Sequence, residues 1–147
     1  MFLQEPRLKE GRLGAFEGAC NWPQSKVQGT FTANAQGKGG VATIAKKTFL
    51  NRTTNFLVHE LAPDQCQHIT FNIGDTQFSF ANVHMDSHLG TNRATLCKTL
   101  QDTLPIGTII GGDFNMVQDL GLDTQRPHSS TPYDNGGWQE MIDMQST

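Results

Sequence analysis

The sequence lacks most of the features that mark secreted and membrane proteins. Its 147 residues include only three cysteines, Cys20, Cys66 and Cys97, and none forms a CxxC pair. An odd and scattered set argues against a disulfide framework and against a structural zinc site. No apolar run reaches the length of a membrane-spanning helix, and residues 1–13 lack a signal-peptide layout. We therefore expect an intracellular protein, in the nucleus or the cytoplasm.

Basic residues are also few. Lysine and arginine number 11 against 14 aspartate and glutamate, a formal net charge of -3. A DNA-binding module usually carries a basic face, and no basic cluster occurs here beyond Lys46-Lys47. Any contact with nucleic acid would have to depend on a local site at which a metal cation neutralises phosphate charge.

The length and the 36% hydrophobic content suit one globular domain, which we assign to residues 1–147. Runs of alternating or continuous apolar residues predict strands. Apolar residues that recur at helical spacing, Leu96 and Leu100 among them, predict a helix that ends before Pro105. The predicted strands cover residues 1–5, 27–33, 41–45, 55–61, 69–73, 77–83 and 107–112, the last as a buried strand with Ile109-Ile110. A final helix is expected over 137–144, with Trp138, Met141 and Ile142 inward. The pattern indicates an α/β or α+β sandwich.

The strongest motif is Gly111-Gly112-Asp113-Phe114-Asn115, directly after an apolar strand. Successive side chains of a strand point to opposite faces, so Asp113 and Asn115 share one face at the end of the strand. A carboxylate beside an amide can orient a water molecule and bind a hard cation. An ordinary exit from a strand into a turn would have the same residue types.

Two weaker candidates lie at other predicted strand ends. His84 follows Asn82 on one face, where an imidazole can donate a hydrogen bond to a phosphate oxygen. Asp86 and His88 also allow a His-x-Asp-x-His metal cluster, which would need a special loop. Glu5, at the end of the first strand, offers one carboxylate to a magnesium ion that keeps most of its waters.

Together these residues resemble the endonuclease/exonuclease/phosphatase superfamily, which includes deoxyribonuclease I and the non-LTR retrotransposon endonucleases. Residues 112–115 match its Gly-Asp-Phe-Asn signature, and Gln4-Glu5 is similar to its magnesium-binding Gln-Glu. Asn82-Val83-His84 and Gly40-Val41-Ala42 resemble two of its strands. Residues 116–123 are similar to the segment that follows the signature in the retrotransposon branch.

The resemblance implies a four-layer α/β sandwich of the deoxyribonuclease I-like type that hydrolyses phosphate esters with Mg²⁺ or Mn²⁺. Glu5 would hold the metal, and Asp113 would orient or deprotonate the attacking water. Asn115 would hold that water and the phosphate, and His84 would brace a non-bridging oxygen. DNA is the expected substrate.

The chain also departs from the family. It has neither the first strand with its Asn nor the final Ser-Asp-His motif, and His128 stands in the wrong context to replace that histidine. We therefore expect a domain incomplete at both ends, which needs a C-terminal segment or a second chain for activity. An inositol phosphate or lipid phosphatase and a non-catalytic binding module remain alternatives. A calcineurin-like phosphoesterase is excluded because its Asp-x-His and Gly-Asn-His motifs do not occur.

Overall fold

The computed structural model describes residues 2–4, 27–32, 40–116 and 136–145. Its contacts divide the chain into two units. The first contains Met1–His84 and Gly107–Asp113, and the second contains Met85–Ile106 and Phe114–Thr147.

The first unit begins with a three-stranded antiparallel sheet, called here the first sheet. Its strands are β1 (Phe2–Gln4), β2 (Val27–Thr32) and β3 (Val41–Lys46), in the order β1-β3-β2. The apolar run of β3 occupies the central position, where a strand is covered on both sides, and its first five residues are buried. The short helix α1 (Lys47–Leu50) continues directly from β3.

The second sheet of this unit has four strands in sequence order. They are β4 (Thr54–Ala62), β5 (Cys66–Ile73), β6 (Thr76–His84) and β7 (Ile109–Asp113). The first three pair antiparallel, and the turn between β5 and β6 contains Gly74 at φ 58°. β7 joins β6 in parallel, so the carboxyl ends of these two strands lie at the same edge.

Aromatic side chains fill much of the space between the two sheets. Phe71 on β5 stacks on Phe56, Phe78 and Phe80, and Phe49 of α1 meets it edge-on. Pairs of this kind contribute roughly 0.5–1.5 kcal/mol each beyond the area they bury. Next to them lies a cavity of about 420 Å³.

Gly112 allows β7 to approach β6 closely. Its register partner is Val83, and a Cβ on Gly112 would lie 1.9 Å from the Val83 carbonyl oxygen. Since no side chain tolerates that distance, only glycine maintains the register at this point. The neighbouring Gly111 has open space where its Cβ would lie, with nothing within 4 Å.

The second unit contains helix α2 (Gly90–Thr103) and helix α3 (Trp138–Gln145). Leu96, Cys97 and Leu100 form the buried side of α2. Arg93 is only 1% exposed, and its guanidinium donates to the carbonyl oxygens of Asp86 and Gly136, both at 2.8 Å. One side chain therefore joins the segment before α2 to the segment before α3. No helix in the described part of the chain is long and apolar enough to cross a membrane.

Most predicted elements are confirmed within one or two residues. Two burial predictions are wrong. Ile109 is 59% exposed because β7 pairs with β6 alone among the described strands, and Ile142 is 37% exposed on α3, where Met141 is the buried residue. The short helix α1 has no counterpart among the predicted elements, since four residues are too few for a helical period. The thiols of Cys66 and Cys97 are free of disulfide bonds and buried.

We predict that Gly112→Ala lowers the free energy of unfolding by about 1–3 kcal/mol, the usual cost of forcing atoms into a packed position. Gly111→Ala is the matched control and should change it by less than about 0.5 kcal/mol. Urea denaturation of both variants measures the difference. Equal effects of the two substitutions would contradict the close approach of β7 to β6.

We predict that Arg93→Met lowers the free energy of unfolding by about 1–3 kcal/mol, because two carbonyl oxygens lose their donor. Arg93→Lys should recover little of this free energy, since an ammonium group cannot reproduce the planar fork of the guanidinium. Lys98→Met on the exposed side of the same helix is the control. If thermal melts show no difference between Arg93→Met and Lys98→Met, the buried arginine is not the link described above.

Candidate active site

The carboxyl ends of β6 and β7 bring two of the predicted site residues together. His84 and Asp113 are register partners at the last position of this parallel pair. Asp113 is exposed and His84 is half-buried. The backbone N–H of His84 also donates to the Gln65 carbonyl oxygen at 2.8 Å, which fixes the end of β6. An imidazole and a carboxylate thus lie side by side at an accessible sheet edge.

A buried amide supports this edge from within the first unit. Asn82 lies two residues before His84 on the same face of β6 and is fully buried. Its Nδ2 donates to the Ala42 carbonyl oxygen at 3.0 Å, and its Oδ1 accepts from Gln4 Nε2 at 2.8 Å. Asn82 therefore bonds to both β3 and β1 of the first sheet.

Glu5, the predicted metal ligand, lies outside the described residues. The residue before it, Gln4, is described and its side chain reaches Asn82. The sequence indicates Gln4 only as part of a motif and Asn82 only as a neighbour of His84. The signal available in the sequence is an amide on the same strand face as the histidine, since a buried amide requires hydrogen-bond partners.

Asn115, in the second unit, has an unusual backbone. Its φ is 48°, in the left-handed region that only Gly and a few other residues, Asn among them, adopt readily. Its Nδ2 donates to the Met85 carbonyl oxygen at 2.7 Å. This bond fixes the orientation of the amide group, and such left-handed positions are often found at functional sites.

The Asp86 carboxylate has hydrogen-bond partners within the loop after β6 and in the first turn of α2, so its position needs no metal. The Asp86 carboxylate accepts from the backbone N–H groups of His88 and Leu89 and from the Asn92 side chain, at 2.7–2.9 Å. Hydrogen bonds from His88 and then Leu89 hold the pKa of this carboxyl below its usual range. Asp86 therefore stabilises the loop that leads into α2.

The described part of the chain contains no dense cluster of metal ligands. In it, no group of three or more His, Cys, Asp or Glu side chains could hold a metal ion. The alternative cluster of His84, Asp86 and His88 is thus not supported. Asp113 still offers an exposed carboxylate, and a magnesium ion needs only one or two carboxylates from protein because it keeps several waters. The donor chemistry at this edge fits Mg²⁺ or Mn²⁺.

Comparison with known proteins finds similarity in structure alone. No protein-family profile matches the chain, and no curated protein matches it significantly. Truncated TDP2 of Caenorhabditis elegans aligns with a TM-score of 0.53 and 19% identity, over 79% of this chain and 49% of that one. TDP2 of D. rerio, in complex with a single-strand DNA product, gives 0.52 and 12% over 79% and 47%.

A third similar structure is that of an endonuclease/exonuclease/phosphatase family protein of Bacteroides thetaiotaomicron. It aligns with a TM-score of 0.51 and 18% identity over 75% of this chain and 47% of that one. The chain spans about half the length of each of these three structures. The α/β architecture that the resemblance implies is confirmed: the chain shares the deoxyribonuclease I-like fold of these structures.

Proposed function

We propose that the chain carries the site of a metal-dependent phosphodiesterase, an endonuclease that acts on DNA. The observation that supports this most directly is the pairing of His84 with Asp113 at the carboxyl ends of β6 and β7. In a deoxyribonuclease I-like fold, an imidazole and a carboxylate at one sheet edge are suited to hold a phosphate and a water molecule.

Each proposed residue has a role that follows from its chemistry. Asp113 orients the attacking water and accepts its proton, as an exposed carboxylate can. His84 donates a hydrogen bond to a non-bridging phosphate oxygen and stabilises the charge that develops there. Asn115, whose amide orientation is fixed by Met85, positions the water and the phosphate.

The metal site is part of the same proposal. Glu5 would hold Mg²⁺ or Mn²⁺, the role that the resemblance of Gln4-Glu5 to the family's Gln-Glu motif implies. A bound divalent cation polarises a phosphoryl oxygen and stabilises the leaving group. The same cation would offset the net charge of -3, which otherwise opposes contact with a nucleic acid.

Two features favour DNA as the substrate. The similar TDP2 of D. rerio forms a complex with a single-strand DNA product. Residues 116–123 also resemble the segment after the signature motif in retrotransposon endonucleases. The protein would then work inside the cell, in the nucleus or the cytoplasm.

The test compares supercoiled plasmid DNA with inositol phosphates under identical Mg²⁺ and salt. We expect slow nicking of the plasmid that falls at least about 100-fold in Asp113→Asn, as for the loss of a general base. His84→Ala should lower it by at least about 100-fold as well, as for the loss of a donor to the developing charge. Asp75→Asn, in the exposed turn between β5 and β6, is the matched control. DNA binding should weaken steeply with added salt because phosphate contacts release counterions.

Each alternative predicts a different result in this assay. Phosphate release from the inositol compounds with an intact plasmid would contradict the nuclease proposal in favour of a phosphomonoesterase. Salt-sensitive DNA binding without cleavage, unchanged in Asp113→Asn, would instead identify a non-catalytic binding module.

A further inference from the structure

Two imidazoles lie opposite one another on the second sheet. His59 of β4 and His68 of β5 are register partners in an antiparallel pair. Side chains at such positions point to the same face, with Cβ atoms roughly 4.5–5.5 Å apart. His59 is exposed and His68 is half-buried.

This pair is separate from the candidate active site. Side chains alternate along each strand, and Ile69 on β5 and Phe80 on β6 line the cavity between the sheets. His68 therefore points to the other face of the second sheet. His84 shares the cavity-side face with Phe80, from which it is four residues away.

A chain of hydroxyl groups fixes the ring of His68. Its Nε2 lies 2.8 Å from Ser79 Oγ, which lies 2.7 Å from Thr108 Oγ1. With the proton on Nε2, His68 donates to Ser79 and presents the lone pair of Nδ1. Histidines that bind metals almost always donate their other ring N–H in this manner, since the bond sets the tautomer and the ring orientation.

The surroundings of His68 also favour its neutral form. Burial, and then the nearby His59, lower the pKa of His68 from its ordinary value. The neutral imidazole is the form that binds a metal.

We propose that His59 and His68 form a binding site for a borderline divalent cation, Zn²⁺ or Cu²⁺. Imidazole nitrogen suits these ions, whereas Mg²⁺ prefers oxygen ligands. Zinc sites with open coordination have three protein ligands and one water. With two protein ligands the site binds more weakly and leaves its remaining positions to water or to a small anion. The site does not depend on the phosphodiesterase proposal, because it uses none of the same residues.

Titration calorimetry with ZnCl₂ on protein without a polyhistidine tag tests the site. We expect one saturable equivalent, and a loss of at least about tenfold in affinity in His59→Ala and in His68→Ala. Ser79→Ala should weaken binding by roughly tenfold to a hundredfold, the usual effect of removing a partner of a metal-bound histidine. His88→Ala, at an exposed histidine of the second unit, should bind as the parent does.

A second measurement locates the cation. Substoichiometric Cu²⁺ should broaden the amide NMR signals around His59 and His68. The His59→Ala variant, changed at an exposed position, should give the spectrum of an intact fold without this broadening. Binding that survives both histidine substitutions, or broadening centred on His84, would overturn the proposal. The calorimetry and the NMR measurement report cation binding at His59 and His68 directly, so neither depends on whether the protein nicks plasmid DNA.

Discussion

The candidate site depends on the two hydrogen bonds of the buried Asn82 amide. An amide removed from water costs free energy unless both its oxygen and its nitrogen find partners. Asn82 finds them in Gln4 of β1 and in the backbone of β3 at Ala42. These bonds tie the carboxyl end of β6 to the first sheet. They therefore hold the end of β6 that carries His84 against the first sheet.

A second buried pair repeats this arrangement between the sheets. Thr43 Oγ1 of β3 donates to Gln67 Oε1 of β5 at 2.7 Å, and both side chains are buried. Phenylalanine rings occupy much of the remaining space between the sheets, and they pack without fixed polar partners. A paired polar group specifies one register because a slip of one residue would leave it unsatisfied. The polar residues thus define the register that the aromatic residues stabilise.

The sequence predicts much of this structure because its strongest signals are local. The alternation before and after Gly74 identifies the β5–β6 hairpin, and the Gly-Asp-Phe-Asn motif places Asp113 at a strand end. What the sequence does not predict depends on contacts between distant segments. The bond between Gln4 and Asn82 joins residues 78 positions apart, and the exposure of Ile109 depends on which strands flank β7. Periodicity reports which face of a strand is apolar, and not how many neighbours the strand has.

The two proposed cation sites differ in the atoms they offer. The edge at β6 and β7 presents the carboxylate oxygens of Asp113, which suit a hard ion. The outer face of β4 and β5 presents imidazole nitrogens, which suit a borderline ion. Because the two histidines lie on the opposite face of the second sheet from His84, substitutions at one site leave the ligands of the other in place.

The central claim is that Glu5, His84 and Asp113 belong to one metal-assisted site. A crystal structure with bound Mn²⁺, located by its anomalous scattering, tests it most directly. The account predicts a peak coordinated by the Glu5 carboxylate at the carboxyl ends of β6 and β7, and no such peak in crystals of Glu5→Gln. A peak remote from these strand ends, or Glu5 on the opposite side of the sheets from Asp113, would contradict it.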